Sequence, residues 1–226
     1  MKLTNKTVVI TGGSRGLGGL LAEALRKENA NVIICAKNNK ILLATAKKIG
    51  AIPFTADVSI ENDVKLLARF VIKKFGSIDI WINNAGISQD HDSIEKIDLK
   101  RGHQIIETNL FGTIYGSREA FSIMKPKKSG TIINIISTCA LIGKPVSSIY
   151  STSKWAVRGF TKALELAAKQ EKIIVLSIYP AGMKTGLFGK NGRKGYENFM
   201  EPSYVANKIM KNLKSKKPAR ELIIKK

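Results

Sequence analysis

Cysteine, aromatic residues, acidic residues and long apolar runs are all scarce in this chain, and each shortage narrows what it can be. Among 226 residues there are two cysteines, Cys35 and Cys139. They can form one bridge at most, and they stand in separate apolar segments with no neighbouring Cys or His to complete a metal cluster. Reduced, packed thiols in a cytosol fit better than a disulfide framework. His91 and His103 have no metal-ligand spacing with each other or with the cysteines, so no metal is expected. The apolar runs at Val8 to Ile10, Val32 to Ile34 and Ile132 to Ile136 are strand-length, far short of the roughly 18 residues of a membrane span. The opening Met1-Lys2-Leu3-Thr4-Asn5-Lys6 lacks the apolar stretch of a secretory signal. A soluble, cytoplasmic protein with no membrane partner is expected.

The shortage of acids leaves 38 Lys and Arg against 17 Asp and Glu, a net charge of +21 and a pI near 10.0. Such a charge admits nucleic acid, a membrane surface or an anionic ligand as partner and does not choose among them. The lysines are scattered singly and in pairs, such as Lys47-Lys48, Lys73-Lys74, Lys127-Lys128, Lys216-Lys217 and Lys225-Lys226. No aromatics interleave with them as on a single-strand-binding surface. A solvated basic surface is therefore favoured over a nucleic-acid role.

What is present in quantity is alternation. Thr7 to Thr11 reads as a strand, and Leu17, Leu20, Leu21, Ala24 and Leu25 then repeat at the spacing of one helix face. Strands follow at Val32 to Ala36 and Ile52 to Thr55 around a helix at Lys40 to Ile49. Val64, Leu67, Ala68, Val71, Ile72 and Phe75 mark another helix. The pattern goes on with strand Ile78 to Ile82, a helix within Arg101 to Met124, strand Thr131 to Ile136, a helix from Tyr150 to Lys169, and strand Ile173 to Ser177. Helix Tyr204 to Leu213, with Ser203 as its N-cap, and strand Leu222 to Ile224 complete it. Strand–helix alternation of this kind predicts an α/β fold with a doubly wound parallel sheet and helices on both faces. Residues 1–226 are read as one domain. The stretch Gly186 to Glu201 mixes glycines with Leu187, Phe188, Tyr196, Phe199 and Met200, which suits a substrate lid.

Thr11-Gly12-Gly13-Ser14-Arg15-Gly16-Leu17-Gly18 follows the first strand and opens the first helix. Glycines there allow backbone N–H groups to approach a pyrophosphate that the helix N-terminus stabilises. The spacing departs from G-x-G-x-x-G. As T-G-x-x-x-G-x-G it resembles the short-chain dehydrogenase/reductase family. Asn83-Asn84-Ala85-Gly86, Ser137 at a strand end, and Tyr150-Ser151-Thr152-Ser153-Lys154, read as Y-x-x-x-K, extend the likeness. So do Asn109 within Thr108-Asn109-Leu110 and Tyr179-Pro180-Ala181-Gly182, so that it covers nearly the whole chain.

Lys154 lies one helical turn after Tyr150 on the same face, where an ammonium favours phenolate and so suits Tyr150 to acid–base work. The resemblance implies more: Lys154 on the nicotinamide ribose, Ser137 on the substrate oxygen and Asn109 in a water-mediated proton relay. It further implies hydride exchange between nicotinamide and a carbonyl compound or its alcohol. At the end of the second strand, Cys35-Ala36-Lys37-Asn38-Asn39-Lys40 shows no acid for a ribose 2′-OH. Lys37 with Arg15 resembles the family's basic pair for NADP, so NADPH is expected and NAD is disfavoured. Asp57 and Val58 resemble the adenine-side position, and Thr185 the nicotinamide carboxamide contact. Gly12, Ser14, Gly16, Leu17, Gly18, Asn83, Ala85, Gly86, Pro180 and Gly182 complete the expected cofactor site.

An apolar substrate wall is expected from Leu141, Ile142, Met183, Leu187 and Phe188. A homodimer or homotetramer, paired through the two long helices, is what the resemblance implies. Trp81 and Trp155 read as core and helix packing. Gly112 and Gly116 fit either a close helix approach or local packing within the monomer. Two rival readings stand beside the enzyme: a dinucleotide-binding regulator or scaffold without turnover, and nucleic-acid binding through the basic surface.

Overall fold

The computed structural model describes residues 2–89, 93–143, 145–188 and 195–226. Seven strands, β1 (Thr7–Thr11), β2 (Asn31–Ala36), β3 (Ile52–Thr55), β4 (Ile80–Asn83), β5 (Gly130–Ile135), β6 (Ile173–Pro180) and β7 (Glu221–Ile224), form one sheet. All pairs are parallel, and the order is β3-β2-β1-β4-β5-β6-β7. The crossovers are α1 (Gly16–Lys27), α2 (Asn39–Ile49), α3 (Glu61–Phe75), α4 (Leu99–Ile106), α5 (Gly112–Met124), α6 (Ser148–Gln170) and α7 (Pro202–Lys214). This is the doubly wound, Rossmann-like arrangement that the strand–helix alternation predicts.

The central strands β1 and β4 are buried at every position because helices cover both sides of the sheet. Val8, Ile10, Ile34, Ile80, Ile82, Ile133 and Leu176 pack with Leu21 and Leu25 of α1 and Val205 and Ile209 of α7. The residues between them, Val9, Ile33, Trp81, Ile132 and Val175, pack with Leu67 and Val71 of α3 and Ala168 of α6. The period-2 alternation of strand side chains produces these two cores. A buried Val, Leu or Ile contributes roughly 1.5–3 kcal/mol. Among the described residues no helix is long and apolar enough to cross a membrane.

Three local details differ from the sequence reading. α7 begins at Pro202, with Glu201 rather than Ser203 in the N-cap position. Proline suits the first helical turn, where its missing N–H is not needed, and it draws the start forward. The helix expected within Arg101 to Met124 begins at Leu99, where Asp98 accepts a capping bond from the Arg101 N–H, and is interrupted by a π-helical stretch, Glu107–Phe111. Trp155 is 46% exposed on the outside of α6, not packed, with the Arg158 guanidinium 5.5 Å from its ring centre.

Candidate active site

The C-terminal ends of the strands share one side, and a cleft of about 650 Å³ opens there around β1 and β4, where the strand order reverses. At one end is the β1–α1 turn. Gly12 has a left-handed φ of 64°, and a Cβ there would lie 2.8 Å from the Ala85 Cα. Glycine alone lets the turn and the segment leaving β4 close together. α1 then starts with Arg15 at the N-cap position and no side-chain cap on its leading N–H groups. Ser14, Arg15, Gly16, Leu17 and Gly18 line the cleft beside Gly12. An uncapped helix N-terminus offers donors and partial positive charge, and this cradle fits the pyrophosphate of a dinucleotide.

Lys37, Asp57 and Val58 line the next part of the cleft. No acid follows β2: Asn38 uses its side chain to cap α2 by accepting from the Ile41 N–H. The Lys37 ammonium stands 3.6 Å from Asp57 Oδ2, while Asp57 Oδ1 accepts from the Ser59 N–H and hydroxyl. Burial pushes the Asp57 carboxyl up, but the Ser59 hydrogen bonds and the Lys37 charge outweigh it and hold the group below the usual carboxylate range.

At the far end Ser137, Tyr150 and Lys154 line the same cleft, with Ala85, Gly86, Pro180, Gly182 and Thr185. Ser137 follows β5, and its Oγ accepts from the Cys139 N–H at 3.1 Å. Tyr150 and Lys154 occupy successive turns of α6, each 5% exposed. The Lys154 ammonium donates to the Ile135 carbonyl at 3.1 Å and lies 5.7 Å from the centre of the Tyr150 ring.

Burial pulls Lys154 down to about 8, against a smaller opposing effect of Cys139. At pH 7 it is still mostly an ammonium. The unfolded chain carries this lysine near the ordinary value of about 10.4. Between about pH 8 and 10.4 the unfolded chain therefore holds a proton that the cofactor-free folded chain has lost, and this group's contribution to stability rises with pH. Lys154→Met should remove that rise. Denaturant midpoints of both proteins from pH 7 to 10.5 measure it, and equal slopes would contradict a buried ammonium.

Two expected site residues lie behind the cleft wall. Asn109, inside the π-helical stretch, is fully buried. Its amide donates to the Ile87 carbonyl and the Ser153 hydroxyl, its Oδ1 accepts from the Ile87 N–H, and its carbonyl accepts from Thr113. It ties the segment leaving β4 to α6. Asn83, expected at the cofactor, instead accepts from Trp81 Nε1 and donates to Ser117 and Asn134 inside the core. Gly116 makes room for it, since a Cβ there would lie 2.2 Å from Asn83 Oδ1. Asn84, overlooked in the sequence, is the one that lines the cleft, its amide donating to the Thr11 and Gly12 carbonyls. Strand alternation was the available signal: Asn83 shares its side of β4 with buried Trp81, and the next residue points the other way.

The apolar wall also differs in membership. Met183 and Leu187 line the cleft with Ile87, Cys139 and Phe199. Leu141 packs with Ile136, Ala140, Val157 and Tyr179, and Ile142 is 66% exposed. The side chain of Phe188, residues 189–194 of the expected lid, and His91 lie outside the described residues; Leu187 and Phe199, at the described ends of that stretch, both face the cleft. His103 is exposed, and no His, Cys, Asp and Glu cluster that could hold a metal occurs among the described residues. Cys35 and Cys139 are free and buried, and burial pushes the Cys35 thiol up to about 12. Gly112 packs on Val58 and Gly116 on β4, so both serve packing within the chain.

Fold and cleft together define a dinucleotide-dependent enzyme of the doubly wound class. A model of the short chain dehydrogenases matches residues 6–195, and the chain belongs to the short-chain dehydrogenase family, oxidoreductases of alcohol and carbonyl groups that use a nicotinamide dinucleotide. It is similar to the oxidoreductase BOA17 of Botryotinia fuckeliana (strain B05.10), 34% identical with 95% of this chain and 87% of that protein covered. Glucose 1-dehydrogenase 2 of Bacillus subtilis (strain 168) is 32% identical over 81% of this chain and 74% of that protein. A short-chain dehydrogenase from Streptomyces avermitilis superposes with a TM-score of 0.89 at 24% identity, over 100% of this chain and 89% of that one, a likeness of fold. An alcohol dehydrogenase from Thermococcus sibiricus, complexed with 5-hydroxy-NADP, gives 0.85 at 25% identity over 97% and 95%.

Proposed function

We propose that this chain reduces an apolar carbonyl compound to its alcohol with NADPH, with Tyr150 as the proton donor. The observation that carries the reading is one continuous cleft with Lys37 and Arg15 at one end and Ser137, Tyr150 and Lys154 at the other. When bound, the dinucleotide supplies the hydride. Ser137 holds the carbonyl oxygen. The Tyr150 hydroxyl gives that oxygen a proton as the carbon receives the hydride, and the neighbouring Lys154 ammonium stabilises the phenolate left behind. Ile87, Met183, Leu187 and Phe199 shed water around the substrate, which favours ketones and aldehydes of low polarity over sugars. Asn109 acts as a positioning residue through Ile87 and Ser153. A panel of apolar and sugar carbonyls, followed at the nicotinamide absorbance with NADPH and NADH in parallel, tests the reading. Turnover confined to sugars, or to NADH, overturns the corresponding half.

A further inference from the structure

The lysines that look scattered in the sequence are gathered by the fold. In a doubly wound parallel sheet, the segments that enter the strands all lie at the edge opposite the cleft. Here those segments are 2–6, 24–31, 47–52, 72–79, 123–130, 168–173 and 211–220, and they hold eighteen of the 38 Lys and Arg against three acids, a balance of +15 out of +21. Four of the eighteen are ion-paired, Lys6 with Asp79, Lys27 with Glu23, Lys125 with Glu171 and Lys214 with Glu28. Among the described residues none of the other fourteen is in a close ion pair, although Lys48 stands near enough to Glu23 to help lower its carboxyl.

Cations near helix C-termini are stabilised by the helix dipole, which accounts for some lysines there. It does not account for the nine that stand outside helices, in the connecting turns and the segment before β1, where the acids number three, Glu28, Asp79 and Glu171. We propose that this face adsorbs on an anionic lipid bilayer, leaving the cleft at the opposite end open to solvent.

The charge spans the whole sheet edge, about 30 Å for seven strands at roughly 4.8 Å spacing, and continues beneath the helices of both layers. A broad array of this kind matches a plane of headgroups. It matches nucleic acid poorly, because among the described residues no helix or strand lies along the face to enter a groove. None of the exposed large apolar side chains falls in these segments. Adsorption is therefore electrostatic, without insertion, and reversible by salt.

The test is sedimentation of the intact protein with large vesicles of phosphatidylcholine alone or with one-quarter phosphatidylglycerol, at 0.1 and 0.5 M salt. Binding is expected only to the anionic vesicles and only at the lower salt. Each Lys near an anionic surface adds about fivefold to partitioning. A variant with Lys47, Lys48, Lys216 and Lys217 changed to Glu should lose at least tenfold in partitioning while its melting temperature and turnover stay near wild type. A second variant, with Arg69, Lys96, Lys100 and Lys208 changed to Glu, has the same net charge and should still bind. Equal loss in both variants would reduce the effect to net charge and overturn the proposal. So would no binding to anionic vesicles at 0.1 M salt, or tighter binding to a duplex RNA or DNA under the same conditions.

Discussion

Replacing Tyr150 by Phe is expected to lower turnover by about 10² to 10⁴, the usual worth of a positioned acid or base, with NADPH affinity nearly unchanged. The substitution deletes one oxygen from a ring that is 5% exposed on a 23-residue helix, so the fold has little reason to move. Nothing in that change touches the Gly12 turn, the uncapped start of α1 or the Lys37 and Asp57 end of the cleft. Proton donation should therefore be lost while dinucleotide binding stays. Cofactor titration by nicotinamide fluorescence and single-turnover rates separate the two quantities. A folded variant with near-normal turnover would remove Tyr150 from the chemistry. A variant that no longer bound NADPH would show instead that the ring shapes the nicotinamide end of the cleft.

The strands and helices were legible because burial on both sheet faces writes continuous apolar runs into the strands and a 3.6-residue period into the helices. The residues that met at the cleft were legible for a different reason: glycine turns and the Tyr150 to Lys154 spacing are local. Non-local features were not. That Asn83 turns into the core while Asn84 faces the cleft depends on Gly116 of α5, 33 positions away from Asn83 along the chain. The π-helical stretch holding Asn109 is stabilised by bonds to Ile87 and Ser153, on separate segments. Leu141 and Ile142 look alike as neighbours in a hydrophobic triplet, yet one is packed and the other is out in solvent. The basic face is the extreme case, since its seven segments become neighbours only when the sheet assembles.

Changing Lys37 to Asp is expected to shift the ratio of catalytic efficiencies, NADPH over NADH, by about thirtyfold toward NADH. The wild-type lip of the cleft holds a cation and a carboxylate 3.6 Å apart, with Asp57 kept ionised by Ser59. Three changes then add. An attraction to the 2′-phosphate is lost, a repulsion is introduced, and Asp57 loses the partner that neutralised it. At roughly 0.2–1 kcal/mol for each exposed charge interaction, their sum is about 2 kcal/mol, and 1.4 kcal/mol is tenfold. Lys37 is 71% exposed, so a larger effect would be out of proportion to solvent screening. The new carboxylate also offers an acceptor to the free ribose 2′-OH, but its repulsion with Asp57 limits the gain with NADH. NADPH efficiency should accordingly fall more than NADH efficiency rises. Lys37→Ala, which removes the attraction and Asp57's partner without adding a charge, should fall between the two. Raising salt should weaken the wild-type preference and leave a smaller one carried by Arg15. Steady-state rates with both cofactors for the three proteins decide it, and a wild-type preference for NADH would show that Lys37 serves Asp57 and not a phosphate.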